Sequence, residues 1–148
     1  NGVPFSSISN YSANVTTLVG RNFALLGNAA EFLDPVFSSG VTVALQSARL
    51  TSRVLGRQLR GEAVEWERDF VAPLKVGVEA FRTYVMGWYD GSFQDVVYCR
   101  PEQVNPEIRA MISSVLAGYA WDEANPFVSR SAQRLKALAE ICGPASRE

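Results

Sequence analysis

The spacing of apolar residues changes once along the chain, from β-type to helical, and this change most constrains the fold. Residues 15–19, Val-Thr-Thr-Leu-Val, are mostly β-branched and predict a short strand. Residues 23–26 predict a second strand, across a turn at residues 20–22. From Val41 onward the apolar residues recur at helical spacing. We therefore expect a mainly α chain with a short N-terminal β-hairpin.

Four or five helices are predicted after the hairpin. The first runs from Val41 to Arg60 and ends at Gly61. The second runs from about residue 64 to 89, and Pro73 should kink it or start a new segment. Residues 93–98 are compatible with a short further helix. Two Asn-Pro pairs, at residues 105–106 and 125–126, predict the starts of two more, the last reaching about residue 142. The first helix carries an apolar stripe, and the second carries an aromatic-rich one: Val41, Leu45, Ala48, Leu55 and Leu59; Trp66, Phe70, Leu74, Val78, Phe81 and Val85.

Composition excludes several functional classes. The formal net charge of −1 gives no electrostatic case for nucleic acid, and no apolar run reaches the length of a membrane span. The chain has no histidine, which rules out Ser-His-Asp and Cys-His catalysis and makes zinc improbable. Cys99 and Cys142 are far apart in sequence and form no metal-ligand pattern, so we expect two buried or partly exposed thiols. We predict no catalytic residue, no metal site and no leader peptide, and we expect a cytoplasmic location.

The stretch from residue 25 to 41, LLGNAAEFLDPVFSSGV, combines a strand end with a helix start. The first N–H groups of a helix lack partners within the helix, and the helix dipole is positive there. Ser38 or Ser39 is a candidate cap, and Gly40 allows a ligand to approach the backbone. Such a junction suits an anion or the electron-rich edge of a ring. The alternative, a capped helix that binds nothing, is common and stays open on this pattern alone.

The same stretch resembles the second flavin-binding motif of the superfamily of FAD-dependent monooxygenases, geranylgeranyl reductases and halogenases. Residues 33–41, LDPVFSSGV, most resemble the flavin-dependent halogenases and their halogenase-like relatives. Two downstream segments, GWYDGSF at residues 87–93 and AGYAW at residues 117–121, resemble the helical C-terminal region of those relatives.

The resemblance implies FAD as the cofactor and assigns positions around it. A first group would lie along the ribityl and pyrophosphate portion: Gly27, Asn28, Ala29 and Ala30. Pro35 would shape the turn beside the isoalloxazine. A second group would direct backbone N–H groups to the pyrimidine edge of the flavin, where a halide also sits in halogenases: Ser38, Ser39, Gly40 and Val41. Asn28 stands where the family usually has aspartate.

The resemblance also implies what the chain is part of. Nothing in it matches the GxGxxG motif that holds the pyrophosphate, and neither Lys75 nor Lys136 matches the halogenase lysine motif. We therefore expect a C-terminal fragment of an α/β FAD-binding fold of the para-hydroxybenzoate hydroxylase (PHBH) type. Residues 1–60 would end the FAD-binding domain, and residues 61–148 would form a helical C-terminal region. The fragment alone should be inactive.

By the same resemblance, the parent enzyme is an oxidoreductase that uses reduced FAD and oxygen to oxidise a halide. The substrate would be an electron-rich small molecule, free or carrier-bound, and a flavin reductase would be a partner. Two alternatives remain: an FAD-dependent hydroxylase or geranylgeranyl-reductase-like enzyme, and a non-enzymatic helical interaction module. The aromatic residues of the second helix fit either core packing or a substrate cavity. We also expect the fragment to self-associate, because a hairpin without its sheet exposes strand edges.

Overall fold

The computed structural model describes residues 15–143; the predictions that fall on residues 1–14 and 144–148 lie outside this range. The chain is mainly helical with one small antiparallel hairpin, as predicted. Strands β1 (Val19–Gly20) and β2 (Phe23–Ala24) pair with Val19 opposite Ala24 and Gly20 opposite Phe23. Both strands are shorter than predicted, since only two residues on each side form ladder hydrogen bonds. Two 3₁₀ turns, Gly27–Ala29 and Pro35–Phe37, lead into the first helix.

Six α-helices follow the hairpin: α1 (Gly40–Leu59), α2 (Ala72–Asp90), α3 (Ser92–Val97), α4 (Pro106–Leu116), α5 (Pro126–Ser129) and α6 (Ser131–Cys142). A 3₁₀ turn at Pro101–Gln103 joins α3 to α4. Helix α2 is central, because each of the other five helices packs against it. The predicted aromatic-rich stripe forms much of the core: Phe70, Leu74, Val78 and Phe81 are fully buried, Val85 is nearly so, and Trp66 is partly buried.

Proline and asparagine set the helix boundaries much as predicted. Pro73 marks a new segment, because a π-helical turn at Glu67–Val71 precedes α2. Asn105 Oδ1 accepts from the N–H of Glu107 at 2.8 Å and caps α4, and Asn125 caps α5 in the same way. The predicted single last helix is wrong: the backbone leaves helical geometry at Arg130 (φ −139°), which divides it into α5 and α6.

The apolar stripe predicted for α1 does not face the core. Val41, Leu45 and Leu59 are 71%, 68% and 79% exposed, and Ala48 and Leu55 are also exposed. The opposite side of the helix is buried instead, through Val43, Ser47, Leu50 and Val54. Helix α1 therefore has two apolar sides, and only one of them is covered by residues within 15–143. The exposed side is called the α1 outer stripe below: Val41, Leu45, Ala48, Leu55 and Leu59.

Candidate functional site

The loop before α1 is held in place by contacts to α1 itself. Gly27 has a positive φ of 54°, and a Cβ there would lie 3.2 Å from the Ala44 side chain, so glycine fits both the turn and the packing. The Gly27 N–H donates to Ser47 Oγ at 3.0 Å, and this bond is buried. The adjacent Ala30 is 2% exposed and belongs to the core. Gly27 and Ala30 thus position the loop rather than line its open side.

A second set of contacts ties the loop to α2. Arg82 donates to Glu31 Oε2 at 2.9 Å, and the Glu31 side chain is only 10% exposed. Asp34 Oδ1 accepts from the N–H of Val36 at 2.8 Å, which is the turn chemistry expected before a proline. Its other oxygen accepts from the hydroxyl of Tyr89 at 3.0 Å. Both carboxylates therefore have structural partners in this loop.

The segments that resemble halogenase relatives come together although they are far apart in sequence. The ring of Phe37 packs edge-on against Trp88 and Phe93 at centroid distances of 5.9 and 5.7 Å. A Cβ on Gly118 would lie 3.4 Å from the Thr42 side chain, so residues 117–121 approach the start of α1. Sequence reasoning did not predict these contacts, because nothing in the local pattern gives long-range pairing.

The loop and the start of α1 enclose a hollow of about 590 Å³. Six of the nine predicted cofactor-binding residues line it: Asn28, Pro35, Ser38, Ser39, Gly40 and Val41. The other three do not: Gly27 and Ala30 are buried, and Ala29 is exposed away from it. Further lining comes from Phe32, Leu33, Asp34 and Ala44. A larger groove of about 690 Å³ runs between α2, α3 and α6, and none of the predicted cofactor-binding residues lines it.

The start of α1 is open at this hollow. Ser39 is the N-cap residue and is buried, but its side chain makes no capping hydrogen bond, contrary to the predicted cap. Ser38 ends the preceding turn in the left-handed region at φ 52°, the one non-glycine residue between 15 and 143 with positive φ. Among these residues, no acceptor is present for the N–H groups of Gly40, Val41 or Thr42. Three backbone donors and the positive end of the helix dipole are therefore available at the rim.

The rim of the hollow has a steric feature as well as an electrostatic one. A Cβ on Gly40 would lie 3.3 Å from Asn28 Oδ1, so the amide of Asn28 reaches across the glycine. The missing Cβ keeps the backbone of α1 accessible from the hollow, and the Asn28 amide is near the same point. These residues fit one edge of a planar, electron-rich ligand. No dinucleotide-type phosphate cradle occurs among the residues that the structure describes.

Other charged residues form a separate structural network. Arg57 contacts Glu62 at 3.3 Å and Asp69 at 3.1 Å, and Arg60 contacts Glu62 at 2.8 Å. The pKa of Asp69 is lowered to about 2, mainly by the hydrogen bond from Arg68. The hydrogen bond from the backbone N–H of Glu65 and the positive charges of Arg68 and Arg57 act in the same direction. The network joins α1 to the π-helical turn and does not reach the hollow.

Comparison with known proteins shows which proteins this chain resembles. No protein-family model matches the chain. A 1H-pyrrole-2-carbonyl-(peptidyl-carrier protein) chlorinase of Pseudomonas fluorescens is 51% identical over 49 residues, which are 33% of this chain and 11% of the chlorinase. The flavin-dependent halogenase armH1 of Armillaria mellea is 35% identical over 85 residues, 56% of this chain and 16% of that enzyme. The chain is related to the flavin-dependent halogenases.

A solved structure is similar to this chain in both sequence and fold. A flavoprotein/dehydrogenase from Cytophaga hutchinsonii superposes with a TM-score of 0.84 at 44% identity. The match covers 90% of this chain and 32% of that protein. The chain thus spans about a third of the solved flavoprotein and a sixth or less of the curated halogenases. Within residues 15–143, no helix is long and apolar enough to cross a membrane.

Proposed function

We propose that the chain is the C-terminal part of an FAD-dependent oxidoreductase of the halogenase type and supplies the flavin-side loop of its active site. One observation carries the proposal: among residues 15–143 the N–H groups of Gly40, Val41 and Thr42 have no acceptor, and the helix start that carries them adjoins a hollow lined by six predicted cofactor-binding residues. The sequence relationship to flavin-dependent halogenases supports a flavin as the ligand that these donors bind.

In this proposal each part of the loop has its own task. The N–H groups of residues 40–42 bind the pyrimidine edge of the flavin, where negative charge collects on reduction, and offer a position for a halide. The Asn28 amide bonds a ribityl hydroxyl, while the buried residues Gly27 and Ala30 hold the loop in position. When bound, FAD supplies the redox chemistry, and the protein orients it and stabilises its charge.

The helical region contributes to the substrate side. Phe37, Trp88 and Phe93 form an aromatic cluster directly behind the loop. The hydroxyl of Tyr89, which follows Trp88 in α2, donates to the Asp34 carboxylate. The parent substrate is an electron-rich organic molecule, free or attached to a carrier protein; the P. fluorescens relative is named for a carrier-bound pyrrole. A flavin reductase would supply reduced cofactor. Residues 1–60 would complete the FAD-binding domain, residues 61–148 would form the C-terminal region, and the enzyme would be cytoplasmic.

A second function is favoured by a specific observation. The solved structure that matches 90% of this chain is a flavoprotein/dehydrogenase. The same loop would then hold FAD for dehydrogenation, hydroxylation or double-bond reduction, and no halide would be used. The loop geometry is common to these reactions, so product chemistry has to separate them.

The deciding experiment is a product assay on the full-length protein with reduced FAD, oxygen, chloride or bromide, and electron-rich pyrrole and phenol substrates. Halogenated product detected by mass spectrometry, and absent without halide, supports the proposal. Hydroxylated product or halide-independent oxidation supports the second function. If no flavin-dependent product forms and the protein does not bind FAD, both are refuted.

We expect the isolated chain of 148 residues to be inactive, because it supplies one edge of the flavin site. Purified chain should show no stoichiometric flavin absorbance and should form no product under the same conditions. The full-length protein is the matched control. Stoichiometric FAD on the isolated chain would contradict this expectation.

A further inference from the structure

One edge of the hairpin presents backbone N–H groups that have no acceptor. Leu25 donates from its N–H to the carbonyl oxygen of Leu18 at 2.8 Å, across the hairpin. Along a strand of an antiparallel pair, successive N–H groups point to opposite sides. The N–H groups of Ala24 and Leu26, on either side of Leu25, therefore point away from β1. Leu26 still has extended backbone (φ −129°, ψ 157°), and among residues 15–143 neither N–H has an acceptor.

A trough of about 360 Å³ lies beside this edge. It is called the β2 trough below, and Ala24, Leu26, Thr51, Leu55 and Trp66 line it. Leu55 is large, apolar and exposed. The Oγ1 atom of Thr51 is buried and has no hydrogen-bond partner among the residues described. A buried polar atom without a partner carries a free-energy cost, which an occupant with a hydrogen-bonding group would remove.

We propose that the free edge of β2 and the β2 trough take up a β-strand from the remaining part of the parent flavoprotein. This inference rests on the proposed function, which makes the chain one part of a longer enzyme. The N–H groups of Ala24 and Leu26 donate to carbonyl oxygens of the added strand, and alternate side chains of that strand fill the trough. The hairpin then becomes an interior part of a larger sheet.

The size of the hairpin and the length of a solved relative favour this occupant. Each strand has two residues, and a two-stranded sheet of that size is marginal in water without further strands or a covering layer. The match to the C. hutchinsonii flavoprotein covers 90% of this chain but 32% of that protein. A parent enzyme of similar length has ample chain outside the matched part to supply a strand.

The exposed side of α1 connects the β2 trough with the hollow at the helix start. Val41 lines the hollow, Leu55 lines the trough, and both belong to the α1 outer stripe. At about 1.5 Å per residue they are roughly 20 Å apart along the helix axis. A body that completes the flavin site at Val41 and covers the stripe therefore also reaches the edge of β2. A separate peptide or a second copy of the chain would have no such reason to follow the whole stripe.

The test is residue-resolved amide hydrogen exchange on the full-length protein and on the isolated 148-residue chain. The isolated chain is kept dilute enough to be monomeric by light scattering. We expect the amides of Ala24 and Leu26 to exchange on the order of a hundredfold more slowly in the full-length protein. The amide of Leu25 already bonds β1, so it is the internal control and should change far less. Equal exchange of Ala24 and Leu26 in the two proteins, or protection already in the dilute isolated chain, would overturn the proposal.

The variant Ala24→Pro separates strand pairing from simple burial. It removes the N–H that faces the edge and leaves the hydrogen bonds between β1 and β2 in place. Proline is tolerated on an edge strand when its side of the strand faces solvent, but inside a sheet it removes a ladder bond. The unfolding temperature should therefore fall by several degrees more in the full-length protein than in the isolated chain. Strain from the proline ring itself occurs in both proteins and cancels, so an equal fall in both would contradict strand pairing.

Bound FAD is measured in the same full-length samples, so that this inference and the proposed function are tested separately. If the protein binds FAD while the Ala24 and Leu26 amides exchange freely, the inference alone is overturned. If the amides are protected in a full-length protein that has no affinity for FAD, the strand interface is supported and the proposed function is refuted.

Discussion

Replacing Gly40 with alanine should separate flavin binding from folding. Gly40 is the first residue of α1 and has no positive φ, so alanine fits its backbone without strain. The nearest atom to the added Cβ would be Asn28 Oδ1 at 3.3 Å, the end of a flexible side chain. Alanine is up to about 1 kcal/mol more favourable than glycine inside a helix and less so at its first position. The free energy of unfolding should therefore be unchanged or slightly raised.

The affinity for FAD should fall in the same variant. The new methyl group enters the hollow where the flavin edge would approach the N–H groups of residues 40–42. Loss of one such hydrogen bond costs about 1–1.5 kcal/mol, which corresponds to roughly fivefold to tenfold weaker binding. We expect that reduction in FAD affinity in the full-length protein, measured by flavin fluorescence, with normal unfolding of Gly40→Ala in denaturant.

Gly56 offers a matched control within the same helix. A Cβ there would meet only Arg60 Nη1, at an ordinary 3.5 Å, and the position is far from the hollow. Gly56→Ala should stabilise the chain by up to about 1 kcal/mol and leave FAD affinity unchanged. If the two variants bind FAD equally well, the start of α1 is not a ligand site and the reasoning is refuted.

Three further predictions address the framework of the site. Arg82→Ala leaves the nearly buried Glu31 carboxylate without its partner and should lower the free energy of unfolding by about 2 kcal/mol. The loss should be smaller than for a fully buried ion pair, because the Arg82 side chain is 27% exposed. In denaturant titrations, a Glu31→Gln, Arg82→Ala double variant should recover part of the lost free energy. The pKa of Asp69 is lowered from 3.8 to about 2, chiefly by Arg68, so its contribution is complete above about pH 4 and lost as pH falls toward 2. Unfolding temperature should drop across that window, and an Asp69→Asn variant that shows the same drop would disprove the assignment. Exposed apolar residues promote association, so Leu45→Lys should reduce concentration-dependent light scattering without loss of stability. If the scattering is unchanged, the α1 outer stripe does not cause the association.

Local signals predicted the helix boundaries well. Asn105 and Asn125 cap their helices because the capping bond joins residues two apart, and sequence spacing fully determines that contact. Pro73 marks a segment start for an equally local reason, the missing N–H. The division at Arg130 had no such signal, since neither glycine nor proline occurs there.

Long-range contacts were outside the reach of sequence patterns. The bond from Gly27 to Ser47 and the ion pair of Glu31 with Arg82 both depend on how the loop and the helices pack. The candidate cofactor-binding residues could be predicted, unlike these contacts, because they all come from one resemblance over residues 25–41. Six of them line one hollow in the structure, while the capping role expected of Ser39 is absent.

The error on α1 has a physical cause that bears on function. A helix with two apolar sides gives no sequence signal for which side the chain itself covers, and here Val43, Leu50 and Val54 were buried in place of the predicted stripe. An apolar helix face of this size is normally covered by a second layer. Val41 belongs both to the α1 outer stripe and to the lining of the hollow. A layer that covers the stripe would therefore also close the hollow against water, and the lower dielectric would strengthen every N–H interaction with the flavin edge. In the proposed full-length flavoprotein we accordingly expect flavin affinity and burial of the α1 outer stripe to rise together.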